Sequence, residues 1–223
     1  DAERRVARIL ARGGAAAVLD EAGLINATYV RATYLAELSA NARLDVAQQD
    51  RAIALVAAMD SDYERRRALE ALLAHQSLAP AQQSALHGVA AAIESDYEQR
   101  VLLQAALPAL RAAPAAAATW IAALESSESS YEHRVALESL ADAVALDADP
   151  LSRALASAAR IESDYERRLA LAALAPQLGR VAGLAGDYAR AAAGIASYYE
   201  AREALVALVE LVQPTACLLY TSR

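Results

Sequence analysis

Ser61-Asp62-Tyr63-Glu64-Arg65-Arg66 and Ser163-Asp164-Tyr165-Glu166-Arg167-Arg168 are two copies of a phrase that recurs along this 223-residue chain. Its tyrosine falls every 34 residues, at Tyr29, Tyr63, Tyr97, Tyr131, Tyr165 and Tyr199. A fixed period of this length is typical of stacked helical hairpins, in which each repeat packs only on its neighbours. The spacing therefore predicts an all-α protein, an α-solenoid of antiparallel helix hairpins with a 34-residue period.

The apolar residues around each tyrosine follow a helical spacing. Position +6 from the tyrosine is always leucine, and position +9 is leucine in five of the six repeats. Positions 0, +6, +9 and +10 share one side of a 3.6-residue helix, so a first helix of about 13 residues is predicted after each phrase. A second helix is predicted to end just before the next tyrosine, with an apolar residue at position −4.

The start of each first helix carries a capping-box pattern. Serine at −2 and glutamate at +1 are expected to satisfy two backbone amides reciprocally, each cap contributing about 1 kcal/mol. The pairs are Ser61 with Glu64, Ser95 with Glu98, Ser129 with Glu132, Ser163 with Glu166, and Ser197 with Glu200.

The period also sets the predicted domain organisation, which is a single solenoid over residues 1–213. It comprises a degenerate first repeat at 1–26 with Gly13-Gly14 as its turn, and a last half repeat at 197–213 that ends before Pro214. The full repeats between them are 27–60, 61–94, 95–128, 129–162 and 163–196. Residues 214–223 resemble a translated sequencing adapter and are expected to be non-native. The chain begins without methionine inside a predicted helix, so we expect a fragment.

Tyrosine and the arginine three residues after it form the predicted structural seam between hairpins. We expect the tyrosine ring to pack between hairpins, and the arginine to pair with the acid at −1 or with the acid at −3. A stripe that grips a peptide or an acidic ligand is the alternative. The seam residues are Tyr63, Tyr97, Tyr131, Tyr165, Tyr199, Arg66, Arg100, Arg134, Arg168 and Arg202.

Position +2 differs between repeats, and binding specificity requires positions that differ. This predicts partner contacts at Arg65, Gln99, His133 and Arg167. Trp120 is expected to be a packing residue of the core.

Composition excludes several kinds of chemistry. The net charge is −7 and every basic residue is arginine, which argues against nucleic-acid binding. Without lysine there is neither a Schiff base nor a phosphate-binding loop. No metal-ligand spacing, nucleophile elbow or apolar span is visible, so we expect no enzyme activity, no cofactor and no membrane insertion. The alanine–arginine bias is typical of a GC-rich bacterial genome.

The period matches tetratricopeptide repeats in length only. The phrase Ser-Asp-Tyr-Glu-x-Arg-x-x-Leu, at 61–72, 95–107, 129–140 and 163–174 and more loosely at 197–208, is similar to helical repeats in C-terminal extensions of antirepressor-type, β-lactam-sensor-like bacterial membrane metallopeptidases. The peptidase zinc motif is absent, so the resemblance implies no catalytic role here. It implies an accessory or sensory arm, in the cytoplasm or the periplasm.

Taken together, the sequence predicts a non-catalytic scaffold or recognition module that binds a protein or peptide. A purely structural spacer and the accessory arm of a membrane metallopeptidase are the alternatives.

Overall fold

The computed structural model describes residues 2–181 and 183–220, with side chains described as far as residue 211, and this part of the chain is all-helical. The α-helices are α1 Ala2–Leu24, α2 Thr28–Asn41, α3 Val46–Ala57, α4 Asp62–His75, α5 Pro80–Ala91, α6 Asp96–Ala112, α7 Ala117–Leu124, α8 Ser130–Ala143, α9 Ala148–Ala158, α10 Asp164–Leu178, α11 Ala185–Ala193 and α12 Tyr198–Tyr220. A 3₁₀ turn, Pro114–Ala116, precedes α7.

The first helix is a hairpin in its own right. Gly14 has φ 68° and ψ −170° and interrupts the helical backbone of α1. A glycine adopts this conformation without the steric penalty of a Cβ atom. The turn lies where Gly13-Gly14 predicted it.

The chain divides into two compact units, an N-terminal unit at residues 1–126 and a C-terminal unit at residues 127–223. In the N-terminal unit α2, α4 and α6 pack in succession, and α3, α5 and α7 form a second succession beside them. In the C-terminal unit α10 packs between α8 and α12, while α9 packs against α11. Each unit therefore has two layers, one of first helices and one of second helices.

The leucine positions of the repeat form the core of both units. Position +6 is almost fully buried at Leu35, Leu69, Leu103, Leu137 and Leu171. Burying one such side chain is worth about 1.5–3 kcal/mol. Position −4 is buried as well, at Met59, Ile93, Ile161 and Ile195. The predicted apolar sides of both helices are thus the sides that pack.

Trp120 and His87 lie inside the N-terminal unit. The Trp120 side chain is fully buried, and its Nε1–H donates to the carbonyl oxygen of Leu103 at 2.8 Å. Trp120 is therefore a core residue, as predicted. His87 Nδ1 lies 3.0 Å from the Thr119 hydroxyl, and burial lowers the pKa of His87 to about 4.

Proline occurs both at the start of a helix and inside helices of this chain. Pro80 begins α5, but Pro108 and Pro176 lie inside α6 and α10. The last helix, α12, likewise continues past Pro214 to Tyr220, so the predicted end of the half repeat was wrong. A proline removes one amide and disfavours, but does not forbid, a helix whose neighbours are good helix formers. The side chains of the predicted non-native tail lie outside the described residues.

Candidate recognition surface

The repeat tyrosines lie on the surface rather than between hairpins. Their exposed fractions run from 50% at Tyr63 to 63% at Tyr29, with the other members between, at Tyr97, Tyr131, Tyr165 and Tyr199. Among the described side chains, the two tyrosines that pack inside, Tyr34 and Tyr188, stand outside the repeat phrase. The predicted packing of the ring between hairpins was therefore wrong. Each repeat tyrosine is the second residue of its helix, and half or more of its surface stays in solvent.

Five of the six exposed rings, those of Tyr29, Tyr63, Tyr97, Tyr131 and Tyr165, are covered on one side by a guanidinium. Arginine at +3 of the same helix lies 5.0–5.2 Å from the ring centroid in the pairs Arg66–Tyr63, Arg100–Tyr97, Arg134–Tyr131 and Arg168–Tyr165. Tyr29 receives Arg67 from α4 at 5.0 Å. Residues three apart are neighbours on a helix, and a cation over an aromatic face is attracted by its quadrupole. The arginines thus lie against one face of these rings.

The seam arginines pair with a glutamate of the next first helix. Arg66 bonds Glu98, Arg134 bonds Glu166, and Arg168 bonds Glu200, always from Nε. Arg66 and Arg134 also bond the acid four residues on, Glu70 and Glu138, at 2.5 Å. The prediction that this arginine pairs with the acid at −1 or −3 was wrong. The arginine pairs instead with the glutamate at +1 of the following repeat.

The carboxylate partners stabilise the positive charges of Arg66 and Arg134. Burial alone would lower the pKa of Arg66, but the hydrogen bond to Glu98 and the charges of Glu70 and Glu98 outweigh it, so the pKa is raised. Burial opposes the charge of Arg134 in the same way, and bonds to Glu138 and Glu166 raise its pKa. These guanidinium groups serve the packing of adjacent helices.

The capping boxes are consequently only half formed. Each predicted serine accepts the amide of the residue three further on, at 3.3–3.4 Å: Ser61, Ser95, Ser129, Ser163 and Ser197. The reciprocal glutamate bond is replaced in three repeats, because Glu98, Glu166 and Glu200 are held by an arginine of the preceding helix. A complete capping box forms instead at Asp45 and Gln48, which begin α3.

The residue at −1 completes the link between successive first helices. Asp62 Oδ2 accepts the backbone amides of Glu94 and Ser95, both at 3.0 Å. Asp164 accepts those of Ala196 and Ser197 at 3.1 and 2.8 Å. These bonds align the helix starts, so the tyrosines stand side by side. Tyr29, Tyr63 and Tyr97 form one row in the N-terminal unit, and Tyr131, Tyr165 and Tyr199 form another in the C-terminal unit.

The predicted partner contacts at +2 point inward instead. Gln99 is 1% exposed, and its Nε2–H groups donate to Ala90 and Ala123 carbonyls at 3.0 and 3.1 Å. His133 is also buried, with Nε2 2.8 Å from the Ser157 hydroxyl. These side chains are enclosed, so the partner-contact prediction was wrong for both.

The two arginines at +2 have the same structural role. Arg65 donates to the Ala92 carbonyl at 3.0 Å. Arg167 donates to Ile161 and Gly194 carbonyls at 2.8 and 2.7 Å. All four +2 side chains therefore contact the C-terminal ends of second helices, where carbonyl groups lack helical partners. Position +2 varies in identity because several donors fit there.

Buried glutamines are a further structural feature that the sequence analysis missed. Gln76 Nε2–H groups donate to Ser39 and Ala42 carbonyls at 2.6 and 2.8 Å, and Gln177 makes equivalent bonds to Ala141 and Val144. Each satisfies the last carbonyls of the preceding first helix. Gln76 follows the last residue of α4, and Gln177 lies in the last turn of α10. A glutamine at the end of a first helix was the available signal.

A double-mutant cycle tests the arginine–glutamate link. Arg134→Ala, Glu166→Ala and the double variant should give a coupling energy of about 1 kcal/mol, because both side chains are mostly buried. The exposed pair Arg153–Asp149 is the matched control and should give about 0.3–0.5 kcal/mol. Urea unfolding measures both. Equal couplings would show that the inter-helix pair contributes no more than a surface pair.

Among the described side chains, no group of three or more His, Cys, Asp or Glu residues could hold a metal ion. No helix in the described part is long and apolar enough to cross a bilayer.

Comparison with protein-family models finds no match, and comparisons with curated proteins and with solved structures find no significant similarity. The resemblance to metallopeptidase extensions therefore stays a prediction.

Proposed function

We propose that the chain is a non-catalytic recognition module that binds a protein or peptide across its rows of exposed tyrosines. The observation that carries this proposal is the exposure of the same aromatic residue in every repeat. Tyrosine offers large contact area at low entropic cost and is enriched where proteins bind one another. Helices in contact lie about 8–10 Å apart, which sets the spacing of the rings in each row.

We also propose that the hairpins are the turns of an α-solenoid with a 34-residue period. Within the N-terminal unit, Asp62 bonds an amide 33 residues on and Arg66 bonds a carboxylate 32 residues on. Within the C-terminal unit, Asp164 and Arg168 repeat these separations. Equal separations are what identical packing of successive hairpins requires.

The charges beside the rows favour a basic or neutral partner. Arg66, Arg134 and Arg168 already pair with carboxylates, so these three guanidinium groups are not available to an acidic ligand. The acids at −3 are exposed beside their tyrosines, at Asp60, Glu94 and Glu162. With a net charge of −7, the chain attracts cations at long range.

Panning a phage-displayed random peptide library against the full chain tests the proposal. Enriched peptides should carry arginine or lysine, and Tyr63→Ala/Tyr97→Ala should weaken their binding at least about tenfold because two ring contacts are lost. The control is Val46→Ala, which removes an exposed apolar side chain at the start of the second helix α3. Fluorescence anisotropy with the synthetic peptides measures both.

Two outcomes contradict the proposal. Peptides that bind the tyrosine variant as tightly as the original chain would place recognition elsewhere. A library that yields no binder, although the tyrosine variant and the original chain are equally folded by circular dichroism, would favour the structural spacer.

A further inference from the structure

We propose that the exposed face of α12 is a docking surface for a separate helical hairpin of this same repeat class. A shallow hollow on this face is lined by Tyr198, Ala201, Arg202, Leu205, Val206, Val209 and Glu210. The surface is distinct from the tyrosine rows and needs no assumption about what they bind.

The equivalent faces of α8 and α10 indicate which kind of element covers this face. Leu205 stands at +6 and is 38% exposed, whereas Leu137 and Leu171 at the same position are fully buried. In the C-terminal unit α8 is covered by α10, and α10 by α12. The face of α12 that carries Leu205 is thus the one that other first helices bury against the next first helix.

Charge complementarity specifies the first turn of the occupant. Arg134 and Arg168 each bond the glutamate at +1 of the following helix. Arg202 is their equivalent, is largely exposed, and pairs at 2.5 Å only with its neighbour Glu203 among the described residues. An incoming helix that begins Ser-x-Tyr-Glu would bring a carboxylate to Arg202 and apolar side chains to Leu205 and Val209.

A second copy of the chain does not supply this helix. In the copies of the phrase at Glu64, Glu98, Glu166 and Glu200 the carboxylate is already held by an arginine of its own chain, and Glu132 has a partner as well. Docking one of them would require opening an existing hairpin. The occupant is therefore a separate hairpin whose glutamate is free.

One position of α12 departs from the repeat and shapes the interface. Tyr198 stands where Asp164 accepts two amides of the next hairpin, and it is 83% exposed. The incoming helix loses that acceptor and gains an aromatic side chain to pack on. The interface is therefore more apolar than those inside the unit.

The test titrates the full chain into a fluorescein-labelled synthetic peptide that has the sequence of residues 162–196. Anisotropy should show saturable binding. Leu205→Asp should weaken it at least about tenfold, since a charge replaces the central apolar contact. Arg202→Glu should weaken it similarly, and a peptide carrying Glu166→Arg should restore binding to that variant. Leu24→Asp, at an exposed leucine of α1, is the matched control and should leave binding unchanged.

Three results overturn the proposal. One is the absence of saturable binding to the original chain. Another is equal binding by Arg202→Glu, which would mean that the peptide displaces residues 162–196 instead of docking on α12. The third is a dimer, seen by light scattering, that becomes monomeric in Leu205→Asp, because the occupant would then be a second copy.

Discussion

Trp120→Ala is expected to lower the free energy of unfolding by about 3–5 kcal/mol. The indole is fully buried between α7 and α6, so its removal loses apolar contacts and leaves a cavity. It also leaves the Leu103 carbonyl without the donor that now lies 2.8 Å away. Trp120 is the only tryptophan, so the unfolding of the variant is followed by circular dichroism at 222 nm rather than by fluorescence.

Trp120→Phe separates the two contributions. Phenylalanine keeps most of the buried apolar volume and removes only the Nε1–H donor, so the loss should be about 1–2 kcal/mol. Similar small losses for both variants would show that the site collapses around alanine and that α7 is not held by this side chain.

The sequence predicted those parts of the fold that depend on one repeat alone. Leucine at +6 is buried wherever a following first helix covers it, because helical periodicity decides which side of a helix is apolar. The serine caps formed for the same reason, since a cap involves residues only three apart. The turn at Gly14 also follows from local chemistry.

The errors at the tyrosine–arginine seam concern bonds between repeats. The glutamate at +1 has two candidate partners, the serine amide of its own helix and the arginine of the helix before it. Local sequence favours the first, but in the structure Glu166 bonds Arg134. The same arrangement explains Tyr165, whose ring stays outside because its helix neighbour Arg168 is drawn to Glu200 and lies over it. A charged bond 32 residues away is visible in sequence only when the period is used to align successive repeats.

Arg65→Glu, at position +2, should lower the free energy of unfolding by about 2–4 kcal/mol. The Arg65 side chain is mostly buried, bonds Asp62 at 3.2 Å and donates to the Ala92 carbonyl at 3.0 Å. A carboxylate there would lose both bonds and would face Asp62 and the negative C-terminal end of α5, a combination that is unfavourable in a poorly solvated position.

Two further variants separate the loss of the Arg65 bonds from the change in net charge. Arg43→Glu alters the net charge equally at an exposed position and should shift stability by about 0.5 kcal/mol or less. Arg65→Gln should lie between, because an amide can still donate to a carbonyl, as Gln99 does at the same position of the next repeat. If Arg65→Glu behaved like Arg43→Glu in urea unfolding, the +2 side chains would not hold the helix ends, and they would again be candidates for partner contacts. A smaller loss of stability for glutamine than for glutamate would instead support the inward role of position +2. Its residue type can vary between repeats because any inward-pointing donor can bond the carbonyl groups there.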